Sequence, residues 1–472
     1  MPENELPRAS GRPLKIAYLT AGAAGMICGA CLHDNTLARA LIALGHDVQL
    51  IPLYTPIRTD EEDVSTSRIF YGGINMYLQQ KSRLFRWLPK WLDRWLDHPR
   101  IVQWAAGRSI QIDPQQVADL ALSILRGAEG FQKKEVERLA EWLTGDLKPD
   151  IVVFSNMLTA GCVPEIKRRM QVPVVVTLQG DDIFLREMPQ PQQGQALAEI
   201  ARLAERIDGY IAHSRFYADA MAEYLRLDRE RIAVVPLGIE TADFPRQKEE
   251  TRRGGKRETG GPFTIGYLAR LAPEKGLHVL AEAVVRLRKM PQMERVRLKI
   301  AGWLGEKHRQ YAEDVFRRLR EAGLGDGFEY VGEVDRKGKL DFLASLDVLA
   351  VPTTYHEPKG LFVLEAMAAG VPVVQPEHGA FPELLAATEG GLLHRPEDAD
   401  HLAARLHELL TNEALRNQLA AAGQKNVHRG SNASVMAERT AEVLRAVAER
   451  DRGQRLGPKQ AANLPPIYAS TR

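Results

Sequence analysis

YHEPKGLFVLEAMAAG, from Tyr355 to Gly370, is the stretch on which the reading of the chain turns. It follows the run Leu346 to Val351, which reads as a buried strand, and opens with Pro358 and Gly360 before a helix-like segment closed by Gly370 and Pro372. Between Leu361 and Ala369 the only ionisable side chain is Glu365. A helix apolar on all its faces is normally buried, and a carboxylate inside it is costly unless something hydrogen-bonds to it. Eight positions earlier, Glu357 lies on the loop at the carboxyl end of the strand, where open α/β sheets bind their ligands. A buried Arg partner for Glu365 and a turn cap for Glu357 would account for both acids. The helix N-terminus between them, with free amides and a partial positive charge, favours another account: phosphate on the amides and hydroxyl groups on the acids, as a nucleotide-sugar would present them.

The chain has 472 residues, too many for one ordinary core, so two domains are expected. Its 63 basic and 61 acidic residues leave a net charge of +2, and no global field draws it to nucleic acid. The opening MPENELPRASGRP has no apolar core of a signal peptide, and no run reaches the length of a spanning helix, so a cytoplasmic location is expected. Three cysteines, Cys28, Cys31 and Cys162, make no disulfide framework.

Taken in order, residues 1–14 read as a disordered tail. KIAYLT (Lys15 to Thr20) is a buried parallel strand, AGAAGMICGA a small-residue loop, LHDNTLARALIALG a helix and HDVQLIPL a second strand. In this βαβ opening, Gly22 and Gly25 let backbone approach a ligand. Cys28 and Cys31 form a C-x-x-C, but a structural zinc needs four ligands and only His33 stands nearby, so small side chains in a tight loop is the preferred account. Residues 57–145 break the rhythm as a helical insert. Within it, KSRLFRWLPKWLDRWLDHPR (81–100) sets Trp87, Trp91 and Trp95 at a spacing of four among basic residues. Such a stripe is more often core; the alternatives are a peripheral contact with the inner face of a membrane or a cover over an acceptor.

Alternation resumes at Pro149. Strands in DIVVFSN, VPVVVTLQGDD, GYIAHS and RIAVVPLGIE, separated by helices, complete a doubly wound domain over 15–244. The loops at Asn156, Gln179 to Asp182 and His213 to Ser214 follow strands and should share one rim. Charged, glycine-rich 245–261 is a flexible linker. A second array over 262–430 begins with FTIGYLARLAPEKG, which sets Arg270 and Lys275 just past a strand, on the same carboxyl side as Glu357. There they supply the cations that a departing diphosphate needs. Asp398 and Asp400 form a D-x-D at a helix start, where capping is the expected role rather than metal binding. A helix over 431–450 and a disordered tail over 451–472 finish the chain.

Over nearly its whole length the sequence resembles the family 4 glycosyltransferases of the GT-B fold. The resemblance is strongest in YHEPKGLFVLEAMAAGVPVVQPEHGAFPEL, and is good in GYLARLAPEKGLHVL, in IAHSRFYADAM followed by VVPLGIETADF, and in the closing helix. It implies an α/β protein of two Rossmann-like doubly wound domains facing across a cleft, with the last helix crossing back to the first domain. It implies that Glu365 binds the ribose hydroxyls of the donor and Glu357 a hydroxyl of the transferred sugar. Arg270 and Lys275 would hold the diphosphate with the amides of Gly360, Leu361, Phe362 and Val363, and Glu333 would lie where main chain lines the base pocket. The acceptor would meet the first-domain rim at Gly22, Gly25, Gln179, Asp181 and Ser214. Three departures stand out: Gln179 where the family often has His, Lys359 where an aromatic is common, which adds a cation beside the donor, and Trp303 where a small residue is usual.

The implied activity is transfer of a sugar, a hexosyl group, from a nucleoside-diphosphate sugar to an acceptor glycan, lipid or small molecule. Anomeric configuration would be retained, with no cofactor and no metal. The alternatives are a GT-B epimerase or phosphorylase, or a non-catalytic membrane-associated assembly protein using the Trp-rich insert. Intact Arg270, Lys275, Glu357 and Glu365 argue against the last.

Overall fold

The computed structural model describes residues 12–22, 29–71, 114–244 and 261–456. The chain divides into two compact units: one runs through Pro236 and takes up the chain again from Ser434, and the other is Leu237–Ala433. Gly25, Cys28 and the stretch 81–100 lie outside the described residues. No described helix is long and apolar enough to cross a membrane.

In the first unit β1 (Lys15–Thr20), β2 (Asp47–Pro52), β3 (Ile151–Phe154), β4 (Val174–Thr177), β5 (Gly209–Ala212) and β6 (Ile232–Val234) form one parallel sheet in the order β2-β1-β3-β4-β5-β6. Side chains alternate between the faces of a strand, and both faces here are buried, hence the unbroken apolar runs. Ala17, Leu19, Val152, Phe154, Val174 and Val176 enter one core, and Ile16, Tyr18, Ile151, Val153, Val175 and Ile211 enter the other. The second core is closed by the last helix, Ala433–Leu456, through Met436, Ala437, Ala441, Leu444 and Val447. That helix runs six residues past the end expected from the sequence, continuing through Gly453. The sheet order reverses between β1 and β3, so the loops after these strands flank the crevice where such sheets take ligands.

In the second unit β7 (Thr264–Leu268), β8 (Arg297–Ala301), β9 (Phe328–Gly332), β10 (Val348–Ala350), β11 (Val373–Pro376) and β12 (Gly391–His394) lie in the parallel order β12-β11-β10-β7-β8-β9. This is the dinucleotide-fold order, with its reversal between β7 and β10. The sequence reading does not include edge strand β12, only partly buried, the helices Arg309–Glu321, Arg336–Ala344 and Phe381–Thr388, or the helix Glu413–Gly430, whose polar sequence packs through Gly423 and Val427. Residues 237–244, assigned on sequence to the first domain, belong to this unit. Leu237, Ile239 and Phe244 enter its core, and Ile239 bridges Asn432. Asp398 accepts a hydrogen bond from the amide of His401 (2.8 Å) and caps the helix Ala399–Thr411, while Asp400 pairs with Arg286.

Candidate active site

At the reversal between β7 and β10, two loops 80 residues apart in sequence are fastened together. Gly276 has φ +73° and sits where a Cβ would come within 1.8 Å of the Pro352 carbonyl oxygen, so no side chain fits. The Thr354 amide donates to Glu274 O (3.0 Å), and the Tyr267 hydroxyl reaches the carbonyls of Arg270 (3.2 Å) and Lys275 (3.3 Å). On this scaffold Lys275 Nζ donates to Glu357 Oε2 (2.7 Å) and to the Tyr355 hydroxyl (2.6 Å), and Tyr355 in turn donates to the same carboxylate oxygen. Glu357 Oε1 faces the amides of Lys359 and Gly360, each at 3.4 Å. The Lys275 ammonium also lies 4.8 Å from the Tyr355 ring centroid.

Burial alone would raise the Glu357 pKa. The Lys275 charge and hydrogen bond, with those of Tyr355 and the nearby Lys359 charge, outweigh it, and the carboxyl is held below its ordinary value. Burial and the Glu357 charge push the Tyr355 phenol far up, against the pull of Arg270. Glu357 is therefore an anion and Tyr355 a neutral donor at neutral pH. Arg270 itself turns to Glu274 (2.5 Å) and is 40% exposed.

The helix Leu361–Ala368 starts at Gly360 and is buried from Phe362 on. The Val363 amide is taken up by Gly360 O (3.0 Å), so of the four amides expected to face phosphate, those of Leu361 and Phe362 remain at the helix's open end. Glu365, one turn further, does have a buried basic partner: Lys339 Nζ donates to its Oε1 at 2.6 Å, with both side chains under 10% exposed. Among the described residues Glu365 Oε2 accepts no hydrogen bond. Lys359 is buried beside Glu357, whereas Glu333 stands exposed past β9. Trp303 O accepts from the Leu271 amide (2.9 Å), tying the loop after β8 to the one after β7.

The first-unit rim is built differently. Asp34, fully buried, accepts from Tyr18 (2.9 Å), Thr20 (2.7 Å), His33 Nδ1 (3.1 Å) and Gln179 Nε2 (3.0 Å), and Gln179 also donates to Ser155 O (2.7 Å). Gln179 thus lies on the rim, with its amide nitrogen drawn inward. Two other expected contacts do not face outward. Asp181 is 2% exposed and accepts from the amides of Met157 (2.5 Å) and Gln179 (3.1 Å); Ser214 caps the helix Arg215–Leu225 by accepting from Tyr217 N (3.1 Å). Both fasten main chain. Burial pushes the Asp181 carboxyl up to about 6 against those amides. Gly22 follows β1, and a Cβ there would meet Thr55 O at 2.1 Å.

Among the described residues no three of His, Cys, Asp and Glu converge as a metal site. Tyr355 and Lys339 are the contacts that sequence reading missed. Lys339 precedes Phe342 and Leu343 by three and four residues, and all three are buried, so the helical period alone marks it as an inward lysine.

Two doubly wound parallel sheets are the architecture of GT-B glycosyltransferases. Solved structures share it: HepE of Anabaena in complex with UDP (TM-score 0.64, 18% identity, 92% of this chain and 100% of that one) and sucrose-phosphate synthase from Thermosynechococcus elongatus (0.66, 18%, 91% and 98%). The profile "Glycosyl transferase 4-like domain" matches residues 35–238 and "Glycosyl transferases group 1" matches 248–426, and the chain belongs to the family 4 glycosyltransferases. Among curated relatives, glycogen synthase of Mycobacterium tuberculosis is 27% identical over 435 residues, 90% of this chain and 93% of its own. Phosphatidyl-myo-inositol mannosyltransferase of Mycobacterium leprae is 34% identical over 186 residues, 39% of this chain and 47% of its own.

Proposed function

We propose that this glycosyltransferase moves a sugar from a nucleoside-diphosphate sugar to an acceptor held by the first unit, with retention at the anomeric carbon and without a metal. The observation that carries the reading is the half-buried Lys275–Tyr355–Glu357 cluster on the loop that leads into the helix carrying Glu365.

The difficulty in such a transfer is the negative charge that collects on the departing diphosphate. Lys275 spends two of its three N–H bonds on Tyr355 and Glu357, and the third is available to a phosphate oxygen. Arg270 and the amides of Leu361 and Phe362 add to it, the positive charge that a divalent cation would otherwise bring. Glu357 accepts a hydroxyl of the transferred sugar, and Glu365 accepts the ribose hydroxyls. Because Glu357 Oε2 is held by a lysine and a tyrosine, the carboxylate suits binding better than nucleophilic attack. The acceptor oxygen therefore bonds to the anomeric carbon on the face from which the diphosphate leaves, and its proton passes to the leaving phosphate oxygen.

The curated relatives differ in their named activities, so the donor is found by experiment: UDP, GDP and ADP, then their sugars, in a thermal-shift panel. Saturation a hundredfold above Kd stabilises by about 2.7 kcal/mol. UDP comes first, since it occupies HepE. One nucleotide should raise the melting temperature, and Glu357→Gln should keep that rise while losing transfer. A flat panel overturns the proposal; isomerised donor without acceptor, or phosphate-dependent release of sugar 1-phosphate, replaces it with an epimerase or a phosphorylase.

A further inference from the structure

We propose that Lys339 is a positioning residue of the nucleotide site: its ammonium fixes the Glu365 carboxylate and balances its charge, so that the acid can meet a ribose beside a diphosphate. The inference rests on the ribose reading of Glu365.

Lysine is almost never fully buried unless paired. Lys339 is 7% exposed, on the helix Arg336–Ala344, whose start is set by Asp335 accepting from the Gly338 amide (2.7 Å). Its neighbour Lys337 reaches Asp341 at the surface (2.5 Å), as lysines on such helices normally do. Lys339 instead points inward with Phe342 and Leu343 and meets Glu365 on another helix.

Stability does not explain this arrangement. A buried ion pair is commonly no better than two apolar side chains of the same size, because desolvation consumes the attraction. What the pair does supply is a carboxylate with one oxygen anchored and the other, Oε2, without a hydrogen bond among the described residues. Ribose hydroxyls need such an acceptor, held still. They also arrive with a diphosphate, which an uncompensated carboxylate would repel in a poorly solvated site. A lysine behind the acid removes the repulsion without occupying the open oxygen. Lys339 therefore acts through Glu365 and does not itself touch the ligand.

A double-mutant cycle tests this. The probe is whichever of UDP, GDP and ADP most stabilises the parent, and its Kd is measured by calorimetry for the parent, Lys339→Met, Glu365→Gln and the double variant. Lys339→Met should weaken binding at least tenfold in the parent and no more than twofold in Glu365→Gln, where a neutral amide needs no counter-charge. An equal loss in both backgrounds, or none in the parent, overturns the proposal. Should Lys339→Met fail to fold, Glu365→Gln against the double variant decides, since neither leaves an unpaired buried carboxylate; a loss above fivefold there overturns it. Glu365→Ala binding as tightly as the parent removes the ribose reading itself, whereas a weak Glu365→Ala with an unaffected Lys339→Met removes only the role of Lys339. If none of the three nucleotides binds the parent, the nucleotide reading fails as a whole.

Discussion

Both units bury carboxylates near the reversal points of their sheets, and they hold them by opposite means. In the first, Asp34 and Asp181 are surrounded by hydroxyls, an amide, an imidazole and main-chain N–H groups. In the second, Glu357 and Glu365 each face a lysine ammonium. The electrostatics follow. Burial lifts Asp181 to about 6, while Lys275 and its neighbours bring Glu357 below its ordinary value. Hydrogen-bonded acids of the first kind organise loops, and ion-paired acids of the second kind keep charge in place where the proposed function puts a charged ligand.

Breaking the second arrangement should have the largest effect. Lys275→Met leaves Glu357 buried and unpaired, so unfolding in urea should show a loss of about 3 to 5 kcal/mol, and turnover should fall by about a hundredfold or more. Near-parental values of both would mean that the pair is ornamental. In the first unit Asp34→Ala strands several buried donors and should cost about 3 kcal/mol, with Asp34→Asn costing less. A loss below about 0.5 kcal/mol, the range of an indifferent surface change, would deny that Asp34 holds these donors together. The pH dependence separates the two kinds of acid. A carboxyl whose folded pKa stands above its unfolded one favours the fold while protonated, so the Asp181 contribution is complete below 3.8 and gone above about 6. Relative to Asp181→Asn, the parent should lose about 3 kcal/mol between those limits, and a pH-independent gap would contradict the shift. Glu357 has the opposite sign: its contribution is present above its ordinary value of 4.5 and lost as pH falls through the lower folded pKa. Smallest is Glu365→Ala, expected to weaken nucleotide binding by about 1.5 to 3 kcal/mol by calorimetry.

Much of this was legible because composition and position spoke together. Leu361 to Ala369 with a single acid could only be a buried helix, and Arg270, Lys275 and Glu357 had to fall at carboxyl ends of strands once the alternation was recognised. The pairing of Lys275 with Glu357 was not legible, since it depends on Gly276 letting one loop lie against Pro352 of another. Nor does a position on a rim reveal which way a side chain turns. Asp181 and Ser214 are where the strands put them, yet both serve main-chain amides. A buried Arg is the partner the sequence suggests for Glu365, and the structure puts a lysine there instead. Lys339, spaced with Phe342 and Leu343, carried the signal for it.

The first sheet is translated early, but one of its faces is covered jointly by Leu37, Ala38 and Leu41 of the helix Gly29–Ala43 and by Met436, Ala437, Ala441, Leu444 and Val447 of the last helix. While the ribosome is still copying the middle of the message, Ile16, Tyr18, Val153 and Ile211 have only part of their cover on that side. The half of the enzyme that is born first is finished last. A nascent chain released before Ser434 would hold a complete second unit, Leu237–Ala433, attached to a sheet whose hydrophobic face lacks part of its cover.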